Sequence, residues 1–298
     1  MITERRISNP FASHFGFRDL RPAGIVVGGL LCCLAIAMLG PVALDLLAGK
    51  SNWGKLVGIA LGTMFFGAAM VLANWQAEPF FSTRQLFIAI FGAALILPLF
   101  SAIPFMQIGP RLSFSDAVFE AVSGLTATGF STINDLSTLP AALHLWRSML
   151  SWLGGLSAIS MAVAVTPRLN IGGMALLSVE TTRMAERAVP ISVRNVLYVA
   201  VVYSSLSMVL SCGLWLSGLN WLEAIVHAAS ALSSGSFSTS SLSVAGFKNG
   251  VVEFLIWLGM IVSGLPFLVI VFMMRGHSRA IIDDNQVRWY FGAILILS

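Results

Sequence analysis

The sequence predicts an all-α polytopic membrane protein from three observations: too little charge for a water-facing globule, six charge-free stretches long enough to span a bilayer, and an internal repeat. Of 298 residues, 57% are hydrophobic and 10% charged, against roughly 45–50% and about 25% in a soluble domain. So few charges could not coat a globule with that apolar content, and lipid must be the solvent for most of the chain. The net charge of +4 does not point to nucleic acid, because the positive residues sort by membrane side.

The charge-free stretches are residues 23–44, 56–74, 85–105, 148–167, 195–222 and 254–274, of 22, 19, 21, 20, 28 and 21 residues. About 20 residues at about 1.5 Å rise cross a hydrocarbon core of about 30 Å. Helices are required because lipid offers backbone amides no partner. A segment at 1–22 precedes a leading pair of helices at 23–75. The first of these is too long for a secretory signal, and no small-residue cleavage site follows it. Two units follow at 84–167 and 195–274, joined by a linker at 168–194, and residues 275–298 form a turn and the start of another apolar run. Cys32, Cys33 and Cys212 fall inside spans as small apolar groups and have no zinc spacing. Pro98, Pro104 and Pro266 mark kinks or ends of helices.

With the N-terminus in the cytoplasm, Arg5, Arg6, Arg18, Arg21, Arg84, Arg168, Arg183, Arg187, Arg194, Arg275, Arg279 and Arg288 lie inside, twelve of the seventeen positive residues. Lys50, Lys55, Arg111, Arg147 and Lys248 lie outside, the imbalance that the positive-inside rule favours. In this orientation residues 105–147 and 218–253 are outer segments, too long and apolar for plain loops, and each should re-enter the membrane.

Sliding the chain by 107 residues sets 116–132, DAVFEAVSGLTATGFST, over 223–239, EAIVHAASALSSGSFST, with seven of seventeen positions identical and no gap. Repeated transmembrane units favour transport over enzymology. Each copy opens on a capping-box spacing, Ser113 with Asp116 and Asn220 with Glu223. The short helix that follows reaches only about halfway across a bilayer. Then come Thr126, Ala127, Thr128 and Gly129, and in the second copy Ser233, Ser234, Gly235 and Ser236. Glycine with hydroxyl-bearing residues suits an extended segment whose oxygens replace a cation's hydration shell, with the negative end of the short helix aimed at the same place. The alternative is helix packing through small residues.

These residues resemble the Trk/Ktr/HKT potassium transporter superfamily, most closely the bacterial Trk-type membrane subunit. The similarity rests on Phe119 to Gly129, on Leu145-Trp146-Arg147-Ser148 with Trp152-Leu153-Gly154-Gly155, on Asn170 to Met174, and on His227 to Thr239. The resemblance implies helix, pore-loop, helix repeats around a pseudo-fourfold cation pore, of which two of four are present. It implies potassium uptake through a selectivity filter in a bacterial inner membrane, with K+ bound at the eight loop residues. It also implies a homodimer, with a cytoplasmic nucleotide-binding regulatory subunit as partner, and no cofactor besides the transported ion. The leading pair looks like the extra helices of the Trk branch. The chain stops ten residues into the run from Trp289, the expected first helix of a third repeat. Two loops cannot close a four-sided filter, so this reading expects an incomplete chain, an inactive half-pore, or halves that associate. The repeat pairs Gly129 with Ser236 rather than Gly235, and a serine there resembles sodium-permeable plant relatives.

Glu120 and His227 hold equivalent positions, as braces behind the loops or as ordinary packing and capping contacts. Glu223 and His227, four apart, share a helical face that suits a metal or acid–base pair, although further ligands are lacking. Arg147 is a candidate for a structural ion pair or pore-facing charge, the alternative being snorkelling to the interface. Asp45, Asp135 and Glu253 read as interface residues at span ends. Protease, nucleophile-elbow and phosphate-loop signatures do not occur, so an enzyme is not expected. A secondary transporter for another monovalent cation or small solute remains the rival.

Overall fold

A computed structural model describes residues 20–76, 83–169, 193–266, 270 and 285–297. The Asn170 to Met174 motif, Arg5, Arg6, Arg18, Arg183, Arg187, Arg275 and Arg279 lie outside the described residues. Among the described residues every regular element is a helix. These are α1 (Arg21–Ala37), α2 (Leu39–Leu47), α3 (Trp53–Asn74), α4 (Thr83–Gln107), α5 (Phe114–Leu125), α6 (Ala141–Leu169), α7 (Val193–Leu216), α8 (Trp221–Ser233), α9 (Gly250–Ser263) and α10 (Asn285–Leu297). Short 3-10 turns, Leu136–Thr138 and Ser243–Phe247, precede α6 and α9.

Four stretches are long and apolar enough to cross a membrane, Arg21–Leu47, Trp53–Asn74, Arg84–Gln107 and Val196–Leu216. The first is two helices that step at Met38, whose backbone stays right-handed. The fifth charge-free stretch, 195–222, is not one helix. It ends at Leu216, turns at Gly218 (φ 102°), and re-starts at the Asn220 cap. The sixth begins earlier and is shorter than expected. α9 runs from Gly250 and closes at Gly264, two residues before Pro266, while most of 267–274 lies outside the described residues. α4 continues through both Pro98 and Pro104 rather than ending at either. α6 has 29 residues, long enough to span, and carries His144, Arg147 and several serines on its buried face.

The repeat is visible in the element order. Shifted by 107 residues, α5 falls on 221–232, where α8 lies, and the first 3-10 turn falls on 243–245, inside the second. Each unit has its own core. One gathers Leu31, Phe105, Ala121, Leu143, Trp146 and Leu150, and the other Tyr203, Leu214, Ala228, Leu232 and Ile256. α6 joins the two: Trp146 Nε1 donates to the Ser101 carbonyl of α4 (3.1 Å), and Trp152 Nε1 donates to Ser207 Oγ of α7 (2.9 Å).

The leading helices pack by backbone contact. A Cβ at Gly28 would lie 2.7 Å from the Gly67 carbonyl oxygen, and one at Gly67 would lie 2.8 Å from that of Gly28. Small residues at such a crossing let the backbones of two membrane helices approach closely. Asp45 is not an interface residue. It is 2% exposed on α2, which packs against α3 and α6, and among the described residues its Oδ2 has no hydrogen-bond partner. Glu253 and Asp135 are exposed as expected, and Ser137, through its hydroxyl and then its amide, holds the Asp135 carboxyl below the usual carboxylate range.

The crossing sets a test. Gly67→Val should force α1 and α3 apart and cost about 1–3 kcal/mol, read as a lower unfolding midpoint in detergent. Gly29→Val, beside open space, should leave the midpoint unchanged.

Candidate functional site

The site is built where α5 and α8 end. Ser113 caps α5, its hydroxyl accepting from the Asp116 amide (3.2 Å) and donating to the Asp116 carboxylate (2.6 Å). The reciprocal half of the expected box is not made there, because that carboxylate binds the hydroxyl. In α8 the box is complete: Asn220 accepts from the Leu222 amide (3.3 Å), and Glu223 accepts from the Asn220 amide (3.2 Å). Glu223 is therefore a cap, and His227 bonds elsewhere, so the two do not act as a pair.

Both helices stop the same way. The Ala127 and Thr128 amides donate to the carbonyls of Gly124 (2.8 Å) and Ser123 (2.9 Å). At matching positions the Ser234 and Gly235 amides donate to those of Ala231 (3.3 Å) and Ser230 (2.9 Å). This is the Schellman arrangement, which needs a left-handed residue after the helix. Ala127 (φ 51°) and Ser234 (φ 55°) fill that place without being glycine. Two residues on, the left-handed region recurs at Gly129 (φ 80°) and Ser236 (φ 53°). The backbone thus repeats the sequence pairing of Gly129 with Ser236. The expected extended segment is not a regular strand. A strand turns successive residues to opposite sides, and a left-handed residue at every second position breaks that alternation.

The two loops touch. A Cβ at Gly129 would overlap the Gly235 carbonyl oxygen and come within 2.8 Å of Ser236 Cβ. Gly235 is closed in differently: a Cβ there would run into Ser151 Oγ of α6 and lie 2.9 Å from Ser233 Oγ. α6 is the seat for both loops, with Gly154 admitting the Leu125 carbonyl and Ser151 sharing a 2.6 Å hydrogen bond with Ser233.

Most hydroxyls of the eight loop residues have protein partners. Thr126 Oγ1 donates to the Val122 carbonyl (2.8 Å) and lies 2.7 Å from Thr128 Oγ1, while Ser234 Oγ lies 3.0 Å from Ser263 Oγ of α9. The Ser233 hydroxyl faces α6 and not the space between the loops. Among the described residues the carbonyls of residues 126–129 and 234–236 accept no hydrogen bond, and the exposed Ser236 hydroxyl makes none.

Behind the loops lie the candidate braces Glu120, Arg147 and His227. Glu120, fully buried, accepts from Ser131 Oγ (2.7 Å), the Thr132 amide (2.6 Å) and Thr132 Oγ1 (3.3 Å). It also pairs with Arg147 Nε (3.2 Å). Arg147 is 3% exposed, so it does not snorkel, and its guanidinium lies 4.3 Å from the centroid of the Phe237 ring of the other loop. At the position equivalent to Glu120, His227 Nε2 shares a 3.2 Å hydrogen bond with Thr239 Oγ1, the counterpart of Thr132. Sequence reasoning missed Phe237, Ser131, Thr132 and Thr239 as brace partners. The signal was present, since all four belong to the positions identical between the copies.

A cycle of variants tests the pair. Arg147→Met alone should cost about 3–5 kcal/mol, because it strands a buried carboxylate. Combined with Glu120→Gln it should cost less than the two single losses added. Strictly additive unfolding midpoints would remove the ion pair from the account.

Comparison with known proteins gives the following. The TrkH family, described as a cation transport protein, matches residues 58–293. The Trk system potassium uptake protein TrkH of Halomonas elongata is 33% identical over 256 residues, 81% of this chain and 51% of that protein. TrkG of Escherichia coli is 34% identical over 72% of this chain and 46% of its own. The crystal structure of the potassium transporter TrkH from Vibrio parahaemolyticus superposes with a TM-score of 0.83 at 26% identity, covering 95% of this chain and 58% of that one. The chain spans about half the length of the curated relatives it matches.

Proposed function

The chain belongs to the TrkH family of cation transport proteins, a transporter family and not an enzyme family, and on that premise we propose that it carries the first half of a potassium-conducting pore. In this reading α4–α5–α6 and α7–α8–α9 are two helix, pore-loop, helix repeats. The carbonyl oxygens of Thr126, Ala127, Thr128 and Gly129, with those of Ser233, Ser234, Gly235 and Ser236, supply two sides of a filter that strips water from K+. The observation that carries the reading is the doubled backbone device. Two short helices end in the same turn, show left-handed residues at matched positions, and meet at Gly129 and Gly235. Carbonyls without protein donors, gathered at helix C-termini, are hard-oxygen ligands for a cation.

The remaining parts of the proposal rest on what the family resemblance implies, and the orientation on the charge pattern. The chain works as the membrane subunit of a Trk system, sits in the bacterial inner membrane with its N-terminus in the cytoplasm, pairs as a dimer, and is governed by a cytoplasmic nucleotide-binding subunit. Residues 23–75 are the extra helix pair, and 168–194 and 275–298 lie on the cytoplasmic side. Closing the filter takes two further repeats, from more chain or from a second half.

The experiment is rubidium uptake by the complete transporter in cells that lack other potassium uptake. Gly129→Val should abolish uptake while the protein still reaches the membrane, because the added side chain has no room beside Gly235. Unchanged uptake would overturn the filter assignment, and saturable uptake of an organic solute that survives the change would favour the rival transporter. Ser236→Gly should keep uptake and raise the preference for rubidium over sodium, because it makes the second loop match the first.

A further inference from the structure

We propose that the groove between α3 and α4 holds a membrane phospholipid with an anionic headgroup, its phosphate on Lys55 and an acyl chain along Gly58 and Gly62. The groove has a volume of about 370 Å³ and lies away from both loops. α1 packs tightly on each of these two helices while they touch one another little, and the groove between them is lined by α3 and α4 residues. Gly58 and Gly62 line one wall, and a Cβ at either would meet nothing within 4 Å. At one end the rings of Phe66 and Phe100 close it, with centroids 5.5 Å apart. At the other end Lys55 reaches across the mouth, its Nζ donating to the Gln107 carbonyl at 3.5 Å. Among the described residues nothing else binds that ammonium group.

An apolar trough that ends in one cation at a helix terminus matches an amphiphile with a negative head. Charge complementarity chooses the occupant. The glycine spacing on α3, Gly54, Gly58 and Gly62, is also one on which a second helix could pack. A second copy docked symmetrically on this stripe would bring the two Lys55 side chains toward one another, and like charges oppose that contact. An anionic lipid is instead drawn to the lysine.

The test is native mass spectrometry of the complete transporter in detergent, titrated with phosphatidylglycerol or phosphatidylcholine of identical acyl chains, or with glycerol phosphate. Phosphatidylglycerol should be retained about fivefold more strongly than phosphatidylcholine, the value of one lysine near a membrane surface, and glycerol phosphate should not be retained. Lys55→Gln should reduce the ratio to about one, whereas Lys50→Gln should leave it intact. Gly62→Leu, which fills the trough, should lower retention of both lipids. Equal retention of the two lipids, an unaltered ratio in Lys55→Gln, or capture of glycerol phosphate alone would overturn the proposal. So would a dimer that Gly62→Leu abolishes, since it assigns the stripe to a second copy.

Discussion

The Glu120 carboxylate is the group on which the first loop depends. Chain that leaves a helix in the interior of a membrane protein must find donors and acceptors within the protein, and a charge placed there must be paired. Glu120 meets both needs at one point. One carboxylate oxygen collects the Ser131 hydroxyl and the Thr132 amide and hydroxyl, while the other holds Arg147. The chain returning from Gly129 is thereby tied to the helix that led into it. Arg147, paired with Glu120 on one side, lies over the Phe237 ring on the other, so the carboxylate that ties the first loop also bears on the second. Truncating such a network costs more than its net contribution, because every remaining partner is left buried.

The second copy solves the same problem with an imidazole. His227 reaches Thr239 as Glu120 reaches Thr132, but among the described residues no cation pairs with it, and Phe254 stands where the repeat would place a counterpart of Arg147. In its place, His227 packs edge-on against Phe247, with centroids 4.9 Å apart. The two loops share a backbone course while differing in what stabilises it: an ion pair in one, an aromatic contact and the Ser151–Ser233 hydrogen bond in the other. The similarity of course is set by the Schellman endings, which depend on backbone amides and so tolerate exchange of the side chains around them.

Much of this was legible in the sequence because membrane proteins write their fold in composition. The charge-free runs locate α1, α3 and α4, and the repeat locates α5 and α8 to within a residue or two. The boundaries of α7 and α9 were not legible. In 195–222 the turn at Gly218 carries no charge, so the absence of charge runs across a helix end. In the site, spacing placed the glycines and the two brace positions, and the repeat placed Ser236 opposite Gly129. It could not show that the Thr126, Ser233 and Ser234 hydroxyls are held by Val122, Ser151 and Ser263, since those partners sit on a preceding turn or on other helices. Nor could it tell whether Arg147 turns inward. That follows from Glu120, one repeat element away and fully enclosed.

The contrast between Phe130 and Phe237, paired in the repeat, carries the geometry beyond this chain. Phe237 is 3% exposed because the preceding unit supplies a floor for it, Gly124 and the Arg147 guanidinium. Phe130 is 69% exposed, because no described unit stands on that side of the first loop. A contact made between consecutive units is thus satisfied once and left open once. If the same rotation relates each unit to the next, the surface that receives Phe130 must bear a small residue and a flat cationic or aromatic face at the positions of Gly124 and Arg147. At those positions the second unit has Ala231, which is buried in its own core, and the exposed Phe254. The exposed Phe130 ring on one edge and the exposed Phe254 on the other (57% exposed) are the two places where, among the described residues, this contact between units is not made.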